Sequence, residues 1–311
     1  MQPIIGIDIS KDHLDAHALP SGVERQFANS PAGIRALLNW ARRMQTTRVV
    51  FEATGAYHRH LEGQLVTAGL DGIKVNPLQA RRFAEATGQR AKTDRTDAAV
   101  LARMGTLLEL PARPPKDENQ HALRELYIAR LALIKDQTAA KNRLKTVTQT
   151  ILRRQLLARL KQITRQIGEI DTALDQAMRQ DGALRERLDI LTSIPGVGRT
   201  TAIAILIEMP EIGALNSKEV ASLAGLAPIT RQSGLWRGKD RIQGGRAGLR
   251  KAIYMPVLVA LRRNPEFGAK YRQFREVGKP AKVAIAALMR KLIVLANALI
   301  RDGRKWTPHS S

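Results

Sequence analysis

The sequence predicts an α/β domain, a long helical hairpin and a mostly α-helical C-terminal domain, in that order. Short apolar runs alternate with helical patterns over the first hundred residues, which is typical of a buried sheet covered by helices. A long stretch with almost no Gly or Pro follows, and glycine-rich breaks interrupt the helical pattern after it. The predicted boundaries are 1–110, 118–190 and 191–302, with a polar tail at 303–311 that is expected to fray.

In the first domain, apolar or alternating runs predict five strands, and two segments with helical spacing predict helices. Ser30 suits an N-cap, because Pro31 follows it at the first helical position. Asn76 and Pro77 are expected to end the last strand. The predicted strands are Ile4–Ile9, His13–Leu19, Val23–Phe27, Arg48–Glu52 and Gly72–Val75, and the predicted helices are Pro31–Arg43 and Tyr57–Ala68.

The second part, from about residue 121 to 191, repeats Leu and Ile at helical spacing, which predicts one or two long helices arranged as an antiparallel coiled-coil hairpin. Residues 141–165 carry eight basic side chains and no acidic one. A solvated helix face is the alternative, but such a face normally mixes both signs, so the pattern favours contact with nucleic-acid phosphate. The candidate contacts are Arg153, Arg154 and Arg159.

The 311 residues include 51 Lys and Arg against 28 Asp and Glu, a net charge of +23. This excess favours a polyanionic partner, above all nucleic acid, because arginine matches phosphate oxygens well; an anionic membrane surface is the alternative. The absence of cysteine excludes disulfides, Cys-ligated zinc, iron–sulfur clusters and thiol nucleophiles. No apolar run is expected to approach the roughly 20 residues that span a bilayer, and no secretory signal is evident, so a cytoplasmic protein is expected.

Four carboxylates suit a metal site. Asp8 lies within a buried strand and Glu52 ends another, so adjacent strands would bring both acids to one place. Asp94 and Asp97 are three residues apart, which places them on one face of a helix. Oxygen ligands favour Mg²⁺ or Mn²⁺, and two such ions can hold a phosphodiester between them. Taken singly, Asp8 also suits a turn and Asp94 an N-cap.

The segment SIPGVG at residues 193–198 predicts a helix–hairpin–helix turn. In such a turn, the backbone around Gly196 and Gly198 would hold a DNA phosphate at a helix N-terminus. An ordinary glycine-containing helix turn is the alternative.

The segment RQSGLWRGKDR at residues 231–241 is strongly basic. From the residues alone, Ser233 and Gly234 predict a phosphate-binding turn rather than a nucleophile, because no adjacent His could act as base. The basic candidates for nucleic-acid contact in and after this segment are Arg231, Arg237, Lys239, Arg241 and Arg250.

The motifs GIDISK, FEATGAY and KTDRTDA resemble the three acidic motifs of the transposases of insertion-sequence family one-ten, which are related to Piv-type DNA invertases. SIPGVG, LAGLAP, the SG dipeptide and LRKAIYMP are similar, in order and spacing, to the C-terminal domain of that family. The resemblance covers the chain from Gly6 to about Leu295. It implies an α/β N-terminal domain with the RuvC-like, RNase H fold.

The resemblance also implies a DEDD set that binds Mg²⁺ or Mn²⁺, with Asp8, Glu52, Asp94 and Asp97 at the matching positions. It implies that Ser233 is the catalytic nucleophile. The implied partners are double-stranded donor and target DNA, a structured noncoding bridge RNA, and further copies of the chain in a homodimer that assembles into a tetramer. The expected function is therefore that of a DNA transposase or recombinase.

Two other functions stay open. A RuvC-type endonuclease specific for Holliday junctions would use the carboxylates and water, and would tolerate loss of Ser233. A non-catalytic nucleic-acid-binding protein would tolerate changes at all four acids. The six histidines show no zinc-ligand spacing, and His58 and His60 are expected at the surface.

Overall fold

The structure, a computed structural model, describes residues 2–52, 57–88, 94–112, 118–230, 232–234, 236–238 and 240–308. The chain divides into two compact units, residues 1–117 and 118–311. The long helices predicted as a hairpin belong to the second unit. A finer division at residue 191 stays a prediction.

The first unit contains a five-stranded mixed sheet. Its strands are β1 (Ile4–Ile9), β2 (His13–Leu19), β3 (Val23–Ala28), β4 (Arg48–Glu52) and β5 (Asp71–Val75). Their order is β3-β2-β1-β4-β5. The first three strands are antiparallel to one another, whereas β4 is parallel to β1 and β5 is parallel to β4. This order and these directions confirm the RNase H-like fold expected for the N-terminal domain.

Both faces of the sheet are buried at its central strands, β1 and β4. Within the described residues, the helices of this unit are α1 (Pro31–Arg43), α2 (Arg59–Thr67), α3 (Pro77–Ala86) and α4 (Asp94–Leu107). Ile5, Ile7 and Phe51 pack on one side with side chains of α1 and α2. Ile4 and Val50 pack on the other side with side chains of α3 and α4. Burial on both faces explains why β1 and β4 are almost continuously apolar, whereas the exposed strand β3 is mainly polar.

The predicted start of α1 is confirmed, whereas the start of α3 was not predicted. Ser30 Oγ accepts a hydrogen bond from the Gly33 amide at 3.2 Å, as expected of the N-cap of α1. Asn76 and Pro77 end β5, but they also begin α3, which was not predicted. Asn76 Oδ1 accepts from the Leu78 amide at 2.8 Å, so the same residues stop a strand and cap a helix.

The second unit is mainly helical. Its helices are α5 (Glu118–Thr146), α6 (Thr150–Gln180), α7 (Gly182–Ser193), α8 (Arg199–Glu208), α9 (Ser217–Leu223), α10 (Ala247–Arg263), α11 (Pro265–Glu276) and α12 (Ala281–Arg301). Helices α5 and α6 are antiparallel, because Arg130 binds Asp171 at 2.5 Å while Gln137 binds Thr164 at 3.2 Å. The predicted helical stretch is divided once more at Asp181, which caps α7.

Helix α12 is long and apolar enough to cross a membrane, so the expectation that no such run exists was wrong. In this structure Leu288, Leu292 and Ile293 of the helix are buried in the core of the second unit. Asn297 is also buried; it accepts from the Gly213 amide at 2.8 Å and donates to the Leu215 carbonyl at 2.7 Å. Core packing therefore accounts for the apolar character of α12.

The described part of the tail is anchored rather than frayed. The backbone amide of Trp306 donates to Ser193 Oγ at 2.8 Å. The Trp306 side chain packs against the core of the second unit. This partly buried aromatic residue anchors a short polar tail that composition alone would predict to be mobile.

Candidate functional site

The register between β1 and β4 brings two of the predicted acids side by side. The strands are parallel, with Gly6 paired to Val50. Two positions further along, this register sets Asp8 beside Glu52. Side chains alternate along a strand and paired positions share a face, so both carboxylates lie on the face that carries Val50. Both side chains are half-buried.

Helix α4 packs on this same face and runs antiparallel to β1. A Cβ atom built on Gly6 would lie 2.1 Å from the Ala98 carbonyl oxygen, and one built on Gly105 would lie 2.5 Å from Val50 Cγ2. Such a close approach requires glycine at both positions. Asp8 lies two residues beyond Gly6, which is about 7 Å along the strand. The same distance along the axis of α4 corresponds to about 4.5 helix residues. The first turn of α4 therefore lies at the level of Asp8.

The first turn of α4 carries the other two predicted acids. The helix begins at Asp94, so Asp94 and Asp97 stand one turn apart, as the spacing predicts. Asp97 is half-buried, whereas only the backbone of Asp94 is described. Among the described residues, no three His, Asp or Glu side chains converge closely enough to hold a metal ion. We call this region, formed by Asp8, Glu52 and the first turn of α4, the acidic face; its metal binding stays a prediction.

A side-chain amide ties together the loops that follow β1 and β4. Asn29 Nδ2 donates to the Ser10 carbonyl at 2.9 Å and to the Tyr57 carbonyl at 3.2 Å. Ser10 Oγ donates to the His13 carbonyl at 3.0 Å and accepts from the His13 amide at 2.9 Å. The motif residue Ser10 therefore shapes the turn after Asp8. Sequence reasoning missed Asn29, since no periodicity or motif marks it.

A fifth carboxylate, also missed, lies beside Asp8. In the antiparallel β1–β2 register Asp8 pairs directly with Asp15, which in turn pairs with Gln26 of β3. Asp15 is only 8% exposed, and its Oδ1 accepts from Gln26 Nε2 at 2.9 Å. Asp15 also lines a cavity of about 300 Å³ that reaches Ala98 of α4. Only the strand register could have revealed this position.

His58 is buried, contrary to the expectation of a surface residue. It is 8% exposed, and its Nε2 lies 3.6 Å from Glu62 Oε2. Glu62 Oε1 accepts from Lys74 Nζ at 2.7 Å. The His58 ring contacts Phe51, which faces the side of the sheet opposite to its neighbour Glu52. This polar cluster therefore packs at the end of β4, on the face of the sheet opposite to Glu52.

In the second unit, a small β-ribbon presents Ser233. Its outer strands are β7 (Gln232–Ser233) and β8 (Trp236–Arg237), and the strands at its base are β6 (Pro228–Ile229) and β9 (Arg241–Ile242). Ser233 pairs with Trp236, so the chain reverses direction after Ser233, and Gly234 begins this reversal. The φ of +57° at Gly234 suits such a turn. Ser233 is exposed near the tip of the ribbon.

The base of the ribbon is fixed to the helical core. A Cβ atom on Gly245 would lie 2.2 Å from the Gly225 amide nitrogen, so the two backbones are in direct contact. Arg246 donates to both carboxylate oxygens of Glu211, at 2.7 and 2.5 Å. These hydrogen bonds raise the pKa of Arg246 above its ordinary value. A bidentate pair of this kind fixes direction as well as distance.

Arg250 has acceptors inside the protein. Its Nη1 donates to the Gly244 carbonyl and, at 3.4 Å, to the Ala224 carbonyl. The structure thus gives Arg250 a role in supporting the ribbon, and its contact with nucleic acid stays a prediction. Among the other predicted contacts here, Arg241 is exposed, Arg231 and Lys239 lie outside the described residues, and only the backbone of Arg237 is described.

A turn separates α7 from α8 at the position of the predicted helix–hairpin–helix turn. Gly196 has a φ of +92°, and a Cβ atom there would lie 2.6 Å from the Pro256 carbonyl oxygen. Packing against α10 therefore accounts for this glycine. Gly198 is the exposed N-cap of α8 and offers no side chain to the first amides of the helix. Phosphate binding at both glycines stays a prediction.

The predicted basic contacts of the hairpin lie near its turn. Arg153, Arg154 and Arg159 are all exposed on the N-terminal half of α6. Their exposure is compatible with phosphate contact and equally with a solvated helix face.

Two family models match the chain. One, described as "Transposase", matches residues 5–153, and the other, described as "Transposase IS116/IS110/IS902 family", matches residues 188–272. The pilin gene-inverting proteins of Moraxella bovis and Moraxella lacunata are each 32% identical to this chain over 97% of its length and 97% of theirs. An insertion element IS110 protein of Streptomyces coelicolor is 33% identical over 37% of this chain and 29% of its own length.

The strand order and directions define a protein of the RNase H-like class. The matches over almost the whole chain go further: the protein belongs to the IS110 family of transposases. It is accordingly a DNA-processing enzyme of the insertion-sequence type. Among solved structures, RuvC of T. thermophilus in complex with a Holliday junction substrate is similar at a TM-score of 0.26 and 15% identity, over 34% of this chain and 98% of RuvC. The fold assignment rests on the sheet topology and not on that similarity.

Proposed function

We propose that this protein cuts and rejoins double-stranded donor and target DNA, with Ser233 as nucleophile and with Mg²⁺ or Mn²⁺ held at the acidic face. The proposed ligands of the cation are Asp8, Glu52, Asp94 and Asp97. One observation carries the proposal: α4 packs so closely on β1 and β4 that its first turn reaches the level of Asp8.

The residues present fit a hard divalent cation. All four proposed ligands offer carboxylate oxygens, the donors that Mg²⁺ prefers. They are carried by β1, β4 and α4 rather than by loops, which favours a preorganised site. When bound, such a cation supplies positive charge that stabilises the phosphate under attack and the departing oxygen.

Ser233 supplies the nucleophile in the proposed reaction. Its Oγ attacks phosphorus, the Oγ–P bond forms, and one P–O ester bond of the DNA breaks. The serine proton passes to the released oxygen, which leaves as a strand-end hydroxyl. The reverse reaction restores a P–O ester and frees the serine, so strands rejoin without an external energy source. Arg241, together with Arg231 and Arg237, would neutralise charge on the phosphate.

The ribbon and the hairpin are the proposed nucleic-acid-binding surfaces. A two-stranded β-ribbon fits the DNA major groove, and the described residues of this ribbon are exposed at Gln232, Ser233 and Arg241. The hairpin arginines and the α8 amides after Gly198 would contact phosphates. A structured noncoding bridge RNA is the second proposed polyanion, and the bacterial cytoplasm, at the nucleoid, is the proposed location.

Homodimers that pair into tetramers are proposed because exchange between two duplexes needs several nucleophiles at once. Exposed apolar side chains near the hairpin turn support contact between copies of the chain. Ile151, Leu152 and Leu157 are 56%, 47% and 48% exposed. Apolar residues grouped in this way on a long helix are typical of an interaction surface.

The decisive experiment separates this recombinase from a nuclease that uses the carboxylates and water. Labelled DNA is incubated in Mg²⁺ with wild type, Ser233→Ala or the control Ser222→Ala, which changes an exposed serine of α9 outside the ribbon, and is then run on a denaturing gel. We expect a covalent protein–DNA adduct from wild type and the control, and none from Ser233→Ala, with DNA binding unchanged. Equal cutting by Ser233→Ala, with no adduct from wild type, would overturn the serine mechanism.

The cation is tested in the same assay with Asp97→Asn. An amide keeps the size of the side chain but loses the charge that holds a divalent ion, so cleavage should fall by at least about 100-fold, or roughly 2.7 kcal/mol. Asp71→Asn is the matched control, since Asp71 is an exposed acid at the start of β5. Full strand exchange by Asp97→Asn would refute the proposed cation site.

A further inference from the structure

We propose that Asp15 is a positioning residue of the acidic face, which orders the water around the divalent cation beside Asp8. The inference rests on the proposed function, because it assigns a further carboxylate to the same cation site. Asp15 lies outside the three acidic motifs, on the second strand of the sheet.

Asp15 lies on the face of the sheet that α4 covers. In the β1–β2 register His17 pairs with Gly6 and Asp15 pairs with Asp8. At Gly6 the backbone of α4 lies directly against the sheet, since a Cβ atom there would be 2.1 Å from the Ala98 carbonyl oxygen. Directly opposed residues have Cβ atoms about 4.5–5.5 Å apart on the same face. The carboxylates of Asp8 and Asp15 are therefore neighbours beside the first turns of α4.

This arrangement is costly in the absence of a positive charge. Like charges directly opposite each other destabilise a sheet, and burial of a carboxylate adds a desolvation cost. Asp15 is only 8% exposed. Within the described part of the chain it forms no salt bridge, and its hydrogen-bond donor is the neutral amide of Gln26. A divalent cation next to Asp8 would offset this cost at Asp15.

The cavity beside Asp15 indicates how Asp15 would act. Mg²⁺ binds through few protein ligands and retains several of its water molecules. The cavity of about 300 Å³ is lined by residues of β2 and β3, among them Asp15, and by Ala98 of α4, so it offers room for water next to Asp15. The bond from Gln26 orients the Asp15 carboxylate, in the way that neighbouring groups orient those around metal sites. Asp15 would thus accept hydrogen bonds from the water of the cation, while Asp8 binds the ion.

The test measures the affinity of the full chain for Mn²⁺ by calorimetry, without nucleic acid. Asp15→Asn keeps the size of the side chain and an acceptor for Gln26 but removes the charge, so its dissociation constant should rise about 10-fold. Asp8→Asn should abolish binding. Glu24→Gln is the matched control, because Glu24 lines the same cavity but contacts His17, at 3.3 Å, instead of Asp15. It should bind Mn²⁺ as wild type does.

A second measurement separates positioning from a merely structural role. If Asp15 acts through the cation, the cleavage rate of Asp15→Asn should recover to the wild-type rate at saturating Mn²⁺, whereas a rate that stays low at all Mn²⁺ concentrations would overturn the proposal. Gln26→Met removes the orienting donor from an exposed position and should weaken Mn²⁺ binding about 3-fold. If Asp15→Asn fails to fold, the Mn²⁺ affinity of Gln26→Met becomes the test. A wild-type Mn²⁺ affinity of that variant would refute the inference.

The outcomes distinguish this inference from the proposed function. Loss of Mn²⁺ binding in Asp8→Asn with wild-type affinity in Asp15→Asn would refute the role of Asp15 and leave the cation site standing. Wild-type affinity in Asp8→Asn would refute the cation site itself. Equal weakening in Glu24→Gln and Asp15→Asn would reduce the effect to general surface charge and refute a specific role for Asp15.

Discussion

At the scale of single residues, the absence of a side chain decides whether the acidic face can form. The Ala98 carbonyl and the Ala102 amide occupy the space where a Cβ atom of residue 6 would stand, at 2.1 and 2.3 Å. Both are helix backbone atoms, so they cannot move without a shift of α4 as a whole. Gly6 therefore positions the acids of α4 although it has no chemistry of its own.

Gly6→Ala should destabilise the first unit by about 3 kcal/mol, because the added methyl group overlaps with backbone rather than with flexible side chains. Urea unfolding followed by circular dichroism measures this change. Gly63→Ala is the control: no atom lies within 4 Å of the added Cβ in α2, and alanine should stabilise that helix by roughly 0.5–1 kcal/mol. Wild-type stability of Gly6→Ala would contradict the close packing of α4 on β1.

At the scale of elements, the ribbon that carries Ser233 is short, and its direction depends on its base. Its strands contain two residues each, too few to hold a fixed orientation by themselves. The contact of Gly245 with Gly225 and the pairing of Arg246 with Glu211 attach the ribbon to the helices. The position of Ser233, the proposed nucleophile, therefore depends on the base of the ribbon.

Two adjacent glycines provide a matched test of this idea. Both Gly244 and Gly245 have positive φ, +71° and +61°, so alanine strains the backbone at either position. Only Gly245 is also crowded, whereas a Cβ atom on Gly244 meets nothing within 4 Å. Gly245→Ala should reduce formation of the covalent adduct at least about 10-fold more than Gly244→Ala, by the misplacement of the nucleophile. Equal loss in both variants would show that the base does not position Ser233.

At the scale of the whole molecule, the net charge of +23 governs how the protein meets nucleic acid. Much of this charge is exposed on the hairpin around Arg153, Arg154 and Arg159. Each phosphate that a basic side chain neutralises on duplex DNA releases about 0.9 counterion, which makes binding weaken steeply with added salt. The hairpin should therefore contribute to affinity at low salt more than to sequence recognition.

Replacement of the three hairpin arginines by alanine should reduce the magnitude of the slope of log affinity against log salt. The reduction is up to about 2.7 if each arginine contacts one phosphate. Fluorescence anisotropy with labelled duplex over a salt series gives the slope. The control variant removes three positive charges from the exposed side of α1 and should leave the slope nearly unchanged. Its residues are Arg35, Arg42 and Arg43. An unchanged slope in the hairpin variant would mean that this face is only solvated.

Local sequence patterns predict the five strands of the first unit and its first helix. Strand runs such as Ile4–Ile9 and the cap at Ser30 were readable because both signals involve residues only a few positions apart. The acidic motifs around Asp8, Glu52 and Asp97 were readable for the same reason, and they led to the family that the comparisons then established.

Contacts between distant parts of the chain depend on the fold as a whole. Asp15 reaches Asp8 through strand register, Asn29 bridges two loops, and His58 becomes buried beneath Phe51. Helix α12 has the composition of a membrane span, and only its neighbours make it a core helix. These features depend on contacts between residues far apart in the chain, whose register and packing distances no local pattern encodes.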